Sequence, residues 1–133
     1  MKTVLLKKPG EIQIGQHEPP VRLANEVLLK VRSAGICGSD IGAYKGVNPL
    51  VSYPRVIGHE IAGEVLEVPD GEVDLLPGDR VLLEPYVYCG KCYTCSIGHT
   101  NCCENLTVRG VHIEGGMAEF VSHPRHLLHK VPG

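Results

Sequence analysis

Residues 88–105 read YCGKCYTCSIGHTNCCEN and hold five of the six cysteines in the chain. Cys89, Cys92 and Cys95 follow a C-x2-C-x2-C rhythm, and Cys103 completes the set after a seven-residue excursion. Four thiolates can surround a tetrahedral Zn²⁺, and x2 spacings let one tight turn present neighbouring sulfurs to one ion. Two other readings use the same residues. Local disulfides across C-x2-C pairs are strained. An iron–sulfur cluster also accepts three cysteines at x2 spacing, but its fourth cysteine usually lies nearer and precedes proline. Here Glu104 follows Cys103. The spacing therefore favours structural zinc, in a closed site that stabilises a lobe spanning about residues 85–106 and catalyses nothing. Cys102 is left over as a free thiol.

Whether these thiols stay reduced depends on the compartment. The opening MKTVLLKKPG has a short apolar centre and no cleavage-type tail, so no signal peptide is expected. No apolar run approaches the length of a membrane span. The expected location is the cytoplasm, where disulfides are rare and clustered cysteines more often bind metal. A formal net charge of −2 leaves no electrostatic footprint for nucleic acid or a membrane surface. With 43% apolar and 21% charged residues, the 133-residue chain reads as one folded domain rather than a disordered segment.

Around the lobe the chain reads as mainly β. TVLL, EIQIG, EVLLKVRSAG, EIAGEVLEV, DRVLLE, AEFVSH and HLLHKV are short runs of alternating or continuous apolar residues. Turn signals such as Pro9-Gly10, Pro19-Pro20, Pro69-Asp70-Gly71 and Pro77-Gly78-Asp79 separate them. With 16 glycines and 10 prolines, long helices are not expected. One short helix is predicted after Cys37, with Ser39 or Asp40 as its cap. The architecture predicted is a curled, partly open barrel of antiparallel strands with the thiol-rich lobe protruding.

The sixth cysteine, Cys37, stands in AGICGSD, and about twenty residues later His59 and Glu60 are adjacent in YPRVIGHEIAGEV. A free cysteine more often only packs, and a His-Glu pair is more often a surface feature. Together, Cys, His and carboxylate form an open zinc set with a position left for water or substrate.

The order of these parts carries a resemblance. GICGSD (35–40), GHEIAGEV (58–65), PGDRV (77–81), CGKCYTCSIGHTNCC (89–103) and GGMAEF (115–120) follow one another as in the zinc-dependent medium-chain alcohol dehydrogenases. The chain resembles that family along essentially its whole length. SYPRVIGHE, TNCCEN and GVHIEGG look most like its polyol and sugar-acid branch, such as the galactonate-type 5-dehydrogenases. The resemblance implies the family's GroES-like catalytic domain over residues 1–133. It implies Cys89, Cys92, Cys95 and Cys103 as structural zinc ligands, and Cys37 and His59 as catalytic zinc ligands. Glu60 matches a glutamate that is a ligand in some members. By the same resemblance, Ser39 passes on the proton of the substrate hydroxyl, and Asp40 holds the far ring N–H of His59. Position 42 departs from the pattern, since Gly42 stands where many members carry a proton-relay histidine.

The family continues into a nucleotide-binding Rossmann domain, and no G-x-G-x-x-G occurs in these residues. The expectation is therefore the catalytic portion of a longer enzyme, inactive alone, with NAD or NADP bound by the domain absent from this chain. Its substrate is expected to be a small secondary alcohol, a polyol or a sugar acid, and the full-length enzyme a homo-oligomer. The alternative is a stand-alone, zinc-stabilised interaction module, which would not need Cys37, His59 and Glu60. A thiol-redox role would want a thioredoxin-like βαβ pattern, which is missing. Tyr44 and Arg55 are placed near the cleft, where Arg55 suits either a substrate carboxylate or an acidic neighbour. His112 is a candidate to approach the cleft. His17, His99, His123, His126 and His129 are read as turn or strand-end residues.

Overall fold

Each of the seven runs read as strands contains a strand in the computed structural model, which describes residues 1–132. HLLHKV, however, is extended only over Leu128–Lys130, after a 3-10 turn at Arg125–Leu127. In chain order the strands are β1 (Lys2–Lys8), β2 (Glu11–Gln16), β3 (Glu26–Gly35), β4 (Arg55–Val56) and β5 (Glu60–Glu67). They continue as β6 (Arg80–Leu83), β7 (Tyr86–Val87), β8 (Thr107–Val108), β9 (Phe120–Pro124) and β10 (Leu128–Lys130). The two-residue strands β4, β7 and β8 are too short to leave a periodic signal in the sequence.

A five-stranded antiparallel sheet in the order β10-β6-β5-β3-β9 carries the main core. Alternation sends Val27 and Leu29 of β3, Ile61 and Val65 of β5, and Val81 and Leu83 of β6 to one face. Each fully buried aliphatic side chain contributes about 1.5–3 kcal/mol relative to exposure, so this face decides the register. A second, three-stranded sheet has the order β2-β1-β4.

The two sheets meet along residues 117–119. Val4 N donates to Met117 O at 2.8 Å, Glu119 N to Lys2 O at 3.1 Å, and Val31 N to Glu119 O at 3.0 Å. One segment thus bonds β1 on one side and β3 on the other, which curls the sheets into a partly open barrel.

Helix α1 (Gly38–Tyr44) follows β3 and covers a second core of Leu6, Ala43, Val51, Ile57 and Val111. Its start differs from expectation: the cap residue is Cys37, and Ser39 and Asp40 lie inside the first turn. The physical reason is the position of Asp40, whose Oδ2 accepts the Cys37 N–H at 2.9 Å and satisfies a donor at the helix end. The Tyr53 hydroxyl donates to the Ala43 carbonyl and ties the end of α1 to the segment leading into β4.

Candidate metal centres

Strands β7 and β8 pair as Tyr86↔Val108 and Val87↔Thr107, forming a two-rung stem from which the cysteine lobe hangs. Within the lobe, helix α2 (Tyr93–Ser96) and a 3-10 turn (Thr100–Cys102) bury none of their residues. The ligand atoms of Cys89, Cys92, Cys95 and Cys103 lie within 4.8 Å of one another. Backbone amides point at the sulfurs: Cys89 N donates to Cys103 Sγ at 3.3 Å, Cys92 N to Cys89 Sγ at 3.4 Å, and Asn105 N to Cys103 Sγ at 3.3 Å.

The thiols differ in acidity because their surroundings differ. The Thr94 hydroxyl, then the Cys95 and Glu104 amides, bring Cys92 down to about 6. Burial and then the neighbouring Cys92 push Cys95 up to about 12. A second thiolate beside the first is costly until a cation offsets their repulsion. Four converging sulfurs with amide donors therefore fit a divalent soft-ligand metal. Cys102 is exposed and outside the cluster.

A second cluster forms at the corner between β3, α1 and β5. The ligand atoms of Cys37, His59 and Glu60 also lie within 4.8 Å of one another. Cys37 is held below the usual thiol range by the Ser39 hydroxyl first, then the Ser39 amide and His59. Ser39 Oγ stands 3.4 Å from His59 Nε2. The other ring nitrogen, Nδ1, is buried without a hydrogen-bond partner and faces Asp40 Oδ1 at 3.6 Å. This arrangement suits a proton on Nδ1 and a free lone pair on Nε2, the form a metal ligand needs. Glu60 is exposed, so the cluster opens to solvent.

The position of His59 depends on backbone packing that sequence reading did not reveal. Gly115 N, Gly116 N and Met117 N donate to Val56 O, Gly58 O and Ile57 O at 2.6, 2.8 and 3.0 Å. A Cβ at Gly115 would sit 2.3 Å from Ile57 O, and one at Gly110 would sit 2.9 Å from Gly58 O. The glycines of RGVHIEGG thus let one main chain lie directly on the turn preceding His59. The doubled glycine was the available signal.

Other candidates fall elsewhere. Arg55 is committed to Glu114 at 3.1 Å and to Ser52 Oγ at 3.0 Å, so its acidic neighbour is intramolecular. His112 turns back to accept the Val108 N–H at 3.0 Å. Tyr44 lines an apolar cavity of about 360 Å³ beside α1, with Ile36, Asp40, Ile41, Ile57 and Met117 among its neighbours. His123 is fully buried in β9, where its Nε2 meets Glu84 O at 2.8 Å and Arg109 Nε donates to its Nδ1 at 3.3 Å. It stands at the end of its strand, as expected, and is also part of the core.

Residues 23–133 match the family model of the alcohol dehydrogenase GroES-like domain. A zinc-type alcohol dehydrogenase-like protein of Haemophilus influenzae is 56% identical over 133 residues, covering 99% of this chain and 39% of that protein. L-galactonate-5-dehydrogenase of Escherichia coli is 45% identical over 124 residues, covering 93% of this chain and 36% of that protein. The crystal structure of an Escherichia coli alcohol dehydrogenase complexed with NADH matches with a TM-score of 0.89 at 46% identity. That match covers 99% of this chain and 38% of the other. The chain thus spans 36–39% of the length of these relatives.

Proposed function

This chain belongs to the alcohol dehydrogenase GroES-like domain family, and on that premise we propose that it is the substrate-activating part of a zinc-dependent dehydrogenase. The substrates proposed are secondary alcohols of the polyol or sugar-acid class, with NAD or NADP as hydride acceptor. The observation that carries this reading is the convergence of Cys37, His59 and Glu60 ligand atoms within 4.8 Å at a solvent-open corner. Likeness to L-galactonate-5-dehydrogenase supports the substrate class.

Cys37, His59 and Glu60 would hold a zinc ion, which when bound would supply Lewis-acid polarisation of a substrate hydroxyl. The chain's own residues do the rest. Asp40 Oδ1, 3.6 Å from His59 Nδ1, favours a proton on that nitrogen and so leaves the Nε2 lone pair free. The Ser39 hydroxyl, 3.4 Å from His59 Nε2, stands at the centre and would take the substrate's proton as it gives its own to water. Gly42 has no side chain to continue a relay, so the proton passes from Ser39 to water. Glu60 is exposed on its strand end, which leaves the centre open to a substrate from the solvent side.

Cys89, Cys92, Cys95 and Cys103 would hold a second zinc with a structural role. The nicotinamide cofactor is bound by a Rossmann domain outside residues 1–133. The greater length of the relatives and the NADH complex of one of them support this. No helix among the described residues is long and apolar enough to cross a membrane. Metal binding by the cysteines at both centres would need reduced thiols, which supports the cytoplasm as the location.

The decisive experiment replaces Cys37 with Ser in the natural-length protein. The reading expects loss of NAD(P)-dependent oxidation of a polyol or sugar-acid panel, with one zinc per chain retained. Undiminished turnover in Cys37→Ser sinks it.

A further inference from the structure

We infer that Gly35 is a positioning residue for Glu60: the missing side chain at 35 gives the Glu60 carboxylate its place beside Cys37 and His59. This rests on the proposed reading of those three residues as a metal centre. Gly35 and Glu60 are register partners where β3 meets β5, beyond a register shift between Val31 and Ser33. A Cβ built on Gly35 would lie 2.3 Å from Glu60 Oε2, 3.0 Å from its Cβ and 3.3 Å from its Cδ. Directly paired residues of antiparallel strands normally keep their Cβ atoms about 4.5–5.5 Å apart. The Glu60 side chain therefore lies folded across the bare Cα of Gly35. In that position its carboxylate comes within 4.8 Å of the ligand atoms of Cys37 and His59.

Conformation does not demand glycine here. Gly35 is not among the residues with positive φ, so an L side chain is sterically excluded by Glu60 rather than by its own backbone. The two contacts also differ in kind. The Cβ–Cβ approach is relieved by a shift of a few tenths of an ångström at a strand end. The carboxylate is the tip of a flexible, exposed side chain, and it clears a new methyl group only by leaving its place. Alanine at 35 therefore keeps the fold and displaces the third ligand.

The test uses the natural-length protein with Co²⁺ at the Cys37 centre and zinc retained in the four-cysteine lobe. The visible cobalt spectrum and the rate of cobalt loss to a chelator are read for wild type, Gly35→Ala, Glu60→Gln and the double variant. Gly35→Ala is expected to reproduce the band shift of Glu60→Gln and to lose cobalt about tenfold faster than wild type. The double variant is expected to lose it no faster than Glu60→Gln alone, since both changes remove the same carboxylate. A wild-type spectrum and off-rate in Gly35→Ala, or additive losses in the double variant, overturn the inference and leave the metal centre standing. Failure of the wild-type protein to take up cobalt outside the lobe overturns the centre itself, and the inference with it.

Discussion

Asp40 Oδ1 faces His59 Nδ1 at 3.6 Å while its Oδ2 accepts the Cys37 N–H at 2.9 Å, so one buried carboxylate addresses both residues. The same contact that closes the start of α1 therefore orients the second centre. Local helix chemistry and ligand geometry share one side chain.

Asp40→Asn tests that sharing, because it keeps the size and removes the charge. Affinity for metal at the Cys37 centre is expected to fall about 10–100-fold, in the range seen when an outer partner of a ligand is lost. Metal in the four-cysteine lobe is expected to be unchanged. Competition titration against a chelator of known affinity separates the two.

The lobe should depend on its metal for shape. Neither α2 nor the following 3-10 turn buries a residue, and only Cys103 among the lobe cysteines is buried. Cys95→Ser is expected to remove one zinc per chain and expose residues 88–106 to limited proteolysis while the barrel stays folded. A protease-resistant lobe without zinc would refute this.

His123 should make the fold sensitive to mild acid. Burial, and then the Arg109 charge, push it from 6.5 down to about 3 in the folded chain. Between those values the unfolded chain binds the proton and the folded one does not. Its contribution is therefore complete above about pH 6.5 and declines as pH falls, by about 1.4 kcal/mol per unit, until about pH 3. Urea denaturation of His123→Gln against wild type should give a flatter stability profile between pH 6.5 and 4. Parallel profiles would remove His123 as the cause.

Gly115→Ala brings a methyl group within 2.3 Å of Ile57 O and 2.6 Å of Val56 O, and backbone cannot swing away as a side chain can. The expected destabilisation is about 1–3 kcal/mol in chemical denaturation, with weaker metal binding at the Cys37 centre as the turn before His59 shifts. Unchanged stability would show that the contact relaxes freely.

Much of this was legible in one dimension. Period-2 alternation in EVLLKVRSAG and EIAGEVLEV marks β3 and β5 because each strand's pleat is a local property. The spacing of Cys89, Cys92, Cys95 and Cys103 marks the lobe because a short loop can close on one ion without help from elsewhere. Short strands such as β7 and β8 left no trace, since two residues carry no period.

Local chemistry along the chain therefore settled where strands run, where the thiol lobe hangs, and which residue types offer ligands. Tertiary structure alone decided room, burial and pairing. It drew Arg55 to Glu114, sank His123 beneath Arg109, laid Gly115 on Ile57 and folded Glu60 across Gly35. Those outcomes depend on segments about 14 to 60 residues apart meeting at contact distance, and no local pattern encodes the space left between them.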